Sequence, residues 1–516
     1  MTKLRLGVIL PDVNVPTWIV RMLDTVKSSS YAEVISLAFA QDANQPDPLY
    51  ERYFQLDARF FKTAPSPWSQ KDVRQVLQHT QRLGESVHDF IARFKALRLD
   101  VILNLSLTTL PKSVSDAARF GVWSLRCNDG RVTTGTDFGW QELLSGEPLL
   151  QCAVEAQRAE TLQAVARSVM AAHPYSFTQN QKSFLWRAAT LIPHALRNLQ
   201  VKGDIEFFSK AETLKPTAKL SRPTTSQIIT LAWKQSLKTF ETKVWRRWFP
   251  QRWALMAGKC LDEGKLAFDG LKLKVPPRGG FWADPFLIER LGKTYVFFEE
   301  FLFKKQFGHI SFAEIQKDGS IGKSQMALER PYHLSYPFLF ENRGEFYMIP
   351  ETGQNRSIEV YRCRSFPNEW AYHKTLMHGV RAVDTTLLEH LGMWWMFVNM
   401  ASEGGSTWDE LHLFYADDPL SEHWTPHPLT PVVSDVRSAR PAGRLFRREG
   451  LLLRPSQDSS LRYGYALNIN RITKLTKYEY EEELFERLEP PKGGKFLAVH
   501  TLNSLHDLTV IDVVMR

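Results

Sequence analysis

Residues 281–300 read FWADPFLIERLGKTYVFFEE, two strand-like apolar runs joined by a turn that carries Gly292. A single carboxylate, Asp284, stands before a proline at the head of the first run. The same grammar returns at Tyr336-Pro337 with Gly344 and EFYMIPET, at Asp384-Thr385 with Gly392 and MWWMFVNM, and at Arg440-Pro441 with Gly450 and LLLRPSQD. The glycine follows the first residue of the pair by 8 positions in three copies and by 10 in the fourth, and successive copies begin 52, 48 and 56 residues apart. A weaker fifth copy begins at His500-Thr501, in HTLNSLHDLTVIDVV. A period near fifty, built from short strands and hairpin turns, predicts a five-bladed β-propeller over residues 246–516, one four-stranded blade per copy.

If each copy begins on the innermost strand of its blade, Asp284, Tyr336, Asp384, Arg440 and His500 converge on the central channel. Plain turns would fill these positions interchangeably with Asp, Asn, Ser and Gly. The chain instead supplies two carboxylates, a tyrosine, an arginine and a histidine. More polar groups stand at the ends of the short strands: Glu299, Glu300, Glu351, Asn399, Arg454, Gln457 and Asp458. Such a channel can hold sugar hydroxyls and place paired carboxylates for acid/base work. The expected catalytic set is Asp284 as base, Glu351 or Glu300 as acid, and Asp384 as the carboxylate that orients substrate or tunes a neighbour. Trp282, His333, Tyr336, Arg440, Arg454, Gln457, Asp458 and His500 are the expected substrate-binding residues, with Arg440, Arg454 and Gln457 suited to a phosphate, a carboxylate or a sugar diol. Each also has a structural reading. The aspartates cap turns, the glutamates are solvated strand ends, Arg454 pairs with Asp458 or Glu351 between blades, and His333 and His500 are satisfied imidazoles. In Trp394-Trp395 alternation sends one ring into the blade and the other outward.

The first third has a different rhythm. LRLGVIL (residues 4–10) is a strand, residues 15–26 carry helical spacing, and AEVISLAFA is a strand again. Residues 70–97 are helical in period, DVILNLS is a buried-type strand, PKSVSDAARF opens with proline as helices do, and GVWSL is a further strand. The alternation predicts a parallel sheet covered by helices, a Rossmann-like α/β domain over residues 1–155. Residues 156–245 are expected as a helical connector, poor in glycine and followed by an exposed link. At its end, LAWKQSLKTFETKVWRRWFPQRWALM interleaves Trp233, Trp245, Trp248 and Trp253 with Lys234, Lys238, Lys243, Arg246, Arg247 and Arg252. That pattern suits peripheral contact of residues 233–253 with an anionic membrane, and equally a cationic face whose tryptophans pack on a neighbouring domain.

Composition sets the outer bounds. With 516 residues, 43% of them hydrophobic and 23% charged, the chain is long enough for several folded domains. A net charge of +9 is compatible with a phosphorylated or nucleotide-sugar ligand, but spread over this length it points to no nucleic-acid partner. The four cysteines, Cys127, Cys152, Cys260 and Cys363, have neither zinc nor disulfide spacing, and no leader or long apolar segment stands out. A cytoplasmic location is expected, and no cofactor or metal motif is visible.

Three resemblances sharpen this reading. The order LDVILNLSLTTLPKSVSDAARFGVWSL resembles the N-terminal domain of the formyltransferase family, whose strand carries a catalytic Asn-x-His. Aligned through Gly121, those residues fall on Ser124 and Arg126. Arginine cannot serve as the base, so formyl transfer is expected to be lost and formyl-folate is not an expected ligand. Asp129 matches either a family aspartate or an ordinary turn in CNDGR. FWADPFLIERLGKTYVFFEE is similar to the first blade of glycoside hydrolase family 43, which implies Asp284 as general base. HLSYPFLF with YMIPET, VDTTLLEHLGMWWMF, and SARPAGRLF with LLLRPSQDSSLRYGYAL resemble the propeller domain at the N-terminal part of glucosamine inositolphosphorylceramide transferases, over residues 250–516. Those plant proteins carry a separate glycosyltransferase domain that has no counterpart here. The function expected from the whole is sugar transfer in glycan or glycolipid biosynthesis with its centre in the channel. Inverting hydrolysis of a glycoside and non-catalytic glycan binding are the alternatives.

Overall fold

The structure, a computed structural model, describes all residues except 1, 41–46, 63, 78–80, 83–86, 107, 109, 129, 133–137, 216–221, 242–251, 260, 263–264 and 403. The chain separates into two compact units, Met1–Val244 with Glu403–Gly405, and Trp245–Ser402 with Ser406–Arg516. Among the described residues no helix is long and apolar enough to cross a membrane.

The first unit is organised by a mixed sheet. Its central strand Leu4–Leu10 runs parallel to Ala32–Phe39 on one side and to Val101–Asn104 on the other, and Val101–Asn104 is in turn parallel to Val122–Cys127. These strands are nearly continuous in apolar residues because both faces are covered. The helix Thr17–Lys27 supplies part of that cover, burying Trp18, Ile19, Met22, Leu23 and Val26 at the spacing of one helical face.

Residues 156–245 are largely helical from Phe177 onward but open with a strand. Thr161–Ala171 pairs antiparallel with Leu149–Arg158, which pairs antiparallel with Val122–Cys127, so the chain extends the sheet before the helices Phe177–Lys202 and Thr225–Thr239 begin. Helix-compatible composition here gives way to cross-strand pairing, a tertiary effect that intrinsic propensity does not contain. Likewise residues 70–97 hold a short strand Gln70–Asp72, a 3-10 turn Val73–Gln75 and a helix Val87–Ala96, and PKSVSDAARF contains only the 3-10 turn Lys112–Ala117.

In the second unit, five four-stranded sheets are found among the described residues. Blade 1 comprises Gly280–Arg290, Lys293–Leu302, Phe307–Ile315 and Gln325–Leu328. Blade 2 is Ser335–Asn342, Glu345–Glu351, Ser357–Ser365 and Glu369–His378, and blade 3 is Ala382–His390, Met393–Met400, Leu411–Ala416 and Thr425–Pro426. Phe446–Arg448, Leu451–Asp458, Ala466–Leu475 and Tyr480–Leu488 make blade 4. Blade 5 joins Phe496–Leu505 and Leu508–Met515 to Arg252–Gly258 and Leu271–Lys274, so main-chain hydrogen bonds between sequence-distant strands close the ring. The five-bladed propeller is the fold of this unit.

The repeated glycine has a conformational cause. Leu291-Gly292, Arg343-Gly344, Leu391-Gly392 and Glu449-Gly450 all have positive φ at both residues. That is the type I′ turn, whose twist matches paired strands and which glycine enters without penalty.

Candidate functional site

The dipeptide that opens four of the five repeats is a β-bulge. In blade 1 the pairing passes from Ala283 opposite Glu299 to Phe286 opposite Phe297, so Asp284 and Pro285 together face one residue of the next strand. Tyr336-Pro337, Asp384-Thr385 and His500-Thr501 repeat this skip. Asp284, Tyr336 and Asp384 hold left-handed backbone at φ of 52°, 44° and 53°. For a residue with a side chain each such conformation costs about 1–2 kcal/mol and persists where the surroundings fix it. A bulge re-aims a side chain that strand alternation would send into the blade. Here it turns Asp284, Tyr336, Asp384 and His500 toward one another, and Arg440 joins them from blade 4.

The resulting network runs from blade to blade. The Asp284 carboxylate accepts the Tyr336 backbone N–H at 3.3 Å and the Thr501 hydroxyl at 2.9 Å, and its own N–H donates to Asp512 at 2.8 Å. His500 lies between two carboxylates, Nε2 at 3.4 Å from Asp284 and Nδ1 at 2.7 Å from Asp512. The Tyr336 hydroxyl pairs with Thr386 at 2.9 Å and accepts the Gly443 N–H at 2.7 Å. Arg440 clasps Asp384 through Nε and Nη2, stands 3.7 Å from Glu351, and lies over the Tyr463 ring at 5.0 Å. Gln457 donates to Asp384 at 3.2 Å. Gly464 makes room for this packing: with φ +59°, a Cβ added there would lie 2.4 Å from the His500 Cβ.

A second set of side chains occupies equivalent positions just before the bulges. Glu299, Glu351 and Asn399 stand opposite Ala283, Ser335 and Val383. Asn399 is fully buried, and among the described residues neither of its amide atoms has a hydrogen-bond partner; the same is true of the Gln457 Oε1. An unpaired buried amide costs about 1–3 kcal/mol, so these orphaned groups mark where the channel is built to meet polar atoms that the protein does not supply.

Electrostatics divide the carboxyls. Burial, reinforced by Asp384, pushes Glu351 up to about 8 against the opposing pull of Arg440, and Glu351 keeps 16% of its side chain exposed. Asp284 is raised less, to about 6, because burial is offset by His500 and by the Thr501 hydrogen bond. Glu299 is pushed well up by burial and the surrounding carboxylates. For His500 burial favours the neutral ring, but Asp512 and Asp284 outweigh it and raise its value. Asp284, His500 and Asp512 present ligand atoms all within 4.8 Å of one another, a metal-ligand composition. The His500 ring lies between the Asp284 and Asp512 carboxylates, where these acidic neighbours favour its charged form.

The remaining expected site residues lie elsewhere. Glu300 accepts Trp282 Nε1 at 3.1 Å and Ser311 at 2.7 Å and has His309 3.5 Å away, contacts that outweigh its burial and bring it down to about 2. Trp282 is buried in the blade core and so does not present a face to the channel. His333 is half-buried over Glu299, 3.6 Å away, and burial lowers its value. Arg454 forms a buried ion pair with Glu482, and Asp458 pairs with Arg487 at 2.7 Å; both hold adjacent strands together. Trp395 is buried and Trp394 is half-buried, each within an apolar cluster. Trp253, read as part of a lipid-facing edge, stacks on His500 with ring centres 4.0 Å apart. Asp129 and residues 242–251 lie outside the described residues. The sequence reading left out Asp512, although a lone carboxylate inside VIDVV was a visible signal. It also left out Thr501 and Tyr463, which ordinary composition conceals.

Residues 274–503 match the family model described as glucosamine inositolphosphorylceramide transferase 1, N-terminal. The glucosamine inositolphosphorylceramide transferase 1 of Oryza sativa subsp. japonica is 36% identical over 220 residues, covering 41% of this chain and 29% of that protein. That of Arabidopsis thaliana is 34% identical over 220 residues, covering 42% and 28%. The matched region thus spans less than a third of the curated relatives' length. Among solved structures, the catalytic domain of the Coprinopsis cinerea GH62 alpha-L-arabinofuranosidase aligns at 12% identity and a TM-score of 0.35, covering 51% of this chain and 97% of that one. The RS223 beta-xylosidase aligns at 15% and 0.34, covering 45% and 83%.

Proposed function

We propose that the propeller channel is the centre of a sugar transfer in glycolipid assembly, with an inositolphosphoryl sphingolipid as the acceptor class. The observation that carries this reading is Glu351: a partly open carboxyl, held neutral near pH 7 beside an ion-paired carboxylate, in a channel where the Asn399 amide and the Gln457 Oε1 have no partner among the described residues. Neutral Glu351 donates a proton to the departing oxygen, and Asp284, less raised and largely ionised at pH 7, takes one from the attacking hydroxyl. A nucleotide-sugar is the donor class such a transfer uses. Support for the substrate class comes from the relatives' names, which couple glucosamine to inositolphosphorylceramide. The test is turnover by Glu351→Gln: transfer that continues at the wild-type rate defeats the catalytic assignment.

One observation favours a second reading, non-catalytic glycan binding. Both Asp284 carboxylate oxygens are already engaged by protein groups, as in a polar plug that fastens blades. Binding that survives both Asp284→Asn and Glu351→Gln in a protein without turnover supports it.

We read the first unit as a formyltransferase-like scaffold without formyl transfer. Ser124 stands where an asparagine would act, and Arg126 is consumed in a buried ion pair with Glu155 at 3.2 Å. Saturable binding of a formyl-folate would contradict this. Peripheral contact with an anionic membrane from the cytoplasmic side is supported by Ile229, Trp233, Leu237 and Phe240, all exposed on or next to the helix Thr225–Thr239. Sedimentation with anionic vesicles that Trp233→Ala leaves unchanged would count against it.

A further inference from the structure

Beside the channel, blade 2 carries a cavity of about 520 Å³, within the range of small-ligand sites. Its wall begins where the strand Glu345–Glu351 ends: the 3-10 turn Gly353–Asn355 leads to Arg356, and Gln354 accepts the His333 N–H at 2.7 Å. A short continuous stretch of chain therefore links Glu351 to the cavity wall at Asn355 and Arg356.

Its floor is a buried carboxylate saturated by neutral donors. Glu359, 4% exposed, accepts Asn355 at 2.6 Å and Ser357 at 2.8 Å on one oxygen, and the Tyr332 hydroxyl at 2.7 Å and the Tyr361 hydroxyl on the other. The Tyr332 and Tyr361 hydroxyls also lie 3.2 Å from each other, and in the arrangement where both donate to Glu359 their oxygens accept. One of them takes Arg330 Nε at 3.0 Å, and the Arg330 guanidinium lies over the Tyr361 ring at 4.8 Å. Arg356 donates to the Gly379 carbonyl at 3.4 Å. Among the described residues neither Arg330 nor Arg356 forms an ion pair. Arg356 is moreover held at φ 55°, a left-handed position that asparagine or glycine would occupy more cheaply. The cavity thus offers two guanidinium groups outside any ion pair, Arg330 within electrostatic reach of Glu359, together with a phenol oxygen that accepts hydrogen bonds and the half-exposed ring of Tyr372 as a stacking face.

The geometry points to a binding site for a phosphodiester carried on a hydroxylated ring, the Arg330 and Arg356 guanidiniums taking the phosphate and the tyrosine wall taking the ring. A guanidinium matches phosphate oxygens in pairs, and a phenol oxygen whose own proton is already donated accepts from a ring hydroxyl. This assignment rests on the proposed function and deepens it. It places the acceptor's inositol-phosphate headgroup on blade 2, next to the channel where its reacting hydroxyl would be met.

The test measures binding of glycerophosphoinositol to the full chain by calorimetry, with myo-inositol and inorganic phosphate as partial probes. Saturable binding is expected, with each partial probe weaker by about tenfold or more, the worth of one charge-assisted contact. Arg330→Gln and Arg356→Asn, the latter chosen to keep the left-handed backbone, should each weaken binding by about tenfold or more. The exposed control Arg471→Gln should leave it unchanged. Association with phosphatidylcholine vesicles that requires phosphatidylinositol and is lost in Arg356→Asn assigns the lipid-borne headgroup; binding of the free diester alone assigns the soluble one. Absence of saturable binding in the wild type, wild-type affinity in both arginine variants, or inorganic phosphate binding as tightly as the diester overturns the site. Failure here is separable from failure of the catalytic reading. Transfer with an unchanged KM in the arginine variants removes the blade 2 site and leaves the channel assignment. Headgroup binding without any sugar transfer does the reverse.

Discussion

Arg440→Met isolates what the channel's central ion pair contributes. The guanidinium and the Asp384 carboxylate are 8% and 1% exposed, and two hydrogen bonds join them. Deleting the cation leaves Asp384 buried with the Gln457 amide and the Glu351 carboxyl as neutral side-chain donors and removes the charge 3.7 Å from Glu351. Breaking a buried pair from one side costs about 3–5 kcal/mol, because the stranded carboxylate cannot recover its hydration. For a unit of this size 1 kcal/mol displaces the melting point by roughly 2–4 °C, so the propeller transition should fall by roughly 6–20 °C. The double variant Arg440→Met, Asp384→Asn removes both charges, and asparagine tolerates the left-handed φ of 53° at residue 384. It should lose only about 1–2 kcal/mol, less than the Arg440→Met variant alone and far less than the sum of the two singles. Thermal and urea unfolding followed by tryptophan fluorescence, over a complete double-mutant cycle, measures this. A single variant within about 1 kcal/mol of wild type, or a double variant as unstable as the sum of the singles, would refute the reasoning.

Two further expectations follow from the same network. Stability should fall as pH rises from about 5 to 8, opposite to a protein governed by salt-bridged carboxylates. Glu351 titrates near 4.5 unfolded and about 8 folded, and Asp284 near 3.8 and about 6, so across these windows the native state holds more protons than the unfolded one. His500, raised above 6.5, acts in the same direction, its contribution present below 6.5 and lost as pH climbs through the folded value. Urea midpoints across this range should show the decline, and Glu351→Gln should flatten it; a wild-type profile that is level or rising contradicts the assigned shifts. Tyr336→Phe strands the buried Gly443 N–H that the hydroxyl now accepts at 2.7 Å, which should cost about 1–3 kcal/mol and speed hydrogen exchange locally at residues 442–445. Unchanged exchange there would dissociate the tyrosine hydroxyl from blade 4.

The propeller was legible because its signals are local and repeated. Type I′ turns demand glycine at a fixed offset from the bulge, and the bulge residues themselves form the entrance pairs, so period and offset were both written in the chain. The same repetition connected Asp284 with Asp384, Arg440 and His500 across 48 to 60 residues per step. It could not distinguish Glu299 from Glu300. Adjacent strand residues point to opposite faces, and only the register opposite Ala283 shows that Glu299 joins the channel while Glu300 turns to Trp282, Ser311 and His309. Arg454 and Asp458 were drawn to the channel by proximity in sequence to Gln457, yet alternation along Leu451–Asp458 sends them to Glu482 and Arg487. The strand Thr161–Ala171 was hidden for a different reason: its residues suit either element, and the decision lies in its pairing with Leu149–Arg158.

The central claim is that Glu351 moves a proton during sugar transfer at the mouth of the propeller channel. Its most direct test is transfer of a radiolabelled sugar from a nucleotide-sugar to an inositolphosphoryl sphingolipid by the wild type and by Glu351→Gln, with glycerophosphoinositol affinity measured on both. The expected result is a loss of roughly 10²–10⁴-fold in kcat with headgroup affinity retained and folding intact. Wild-type turnover in Glu351→Gln would contradict it.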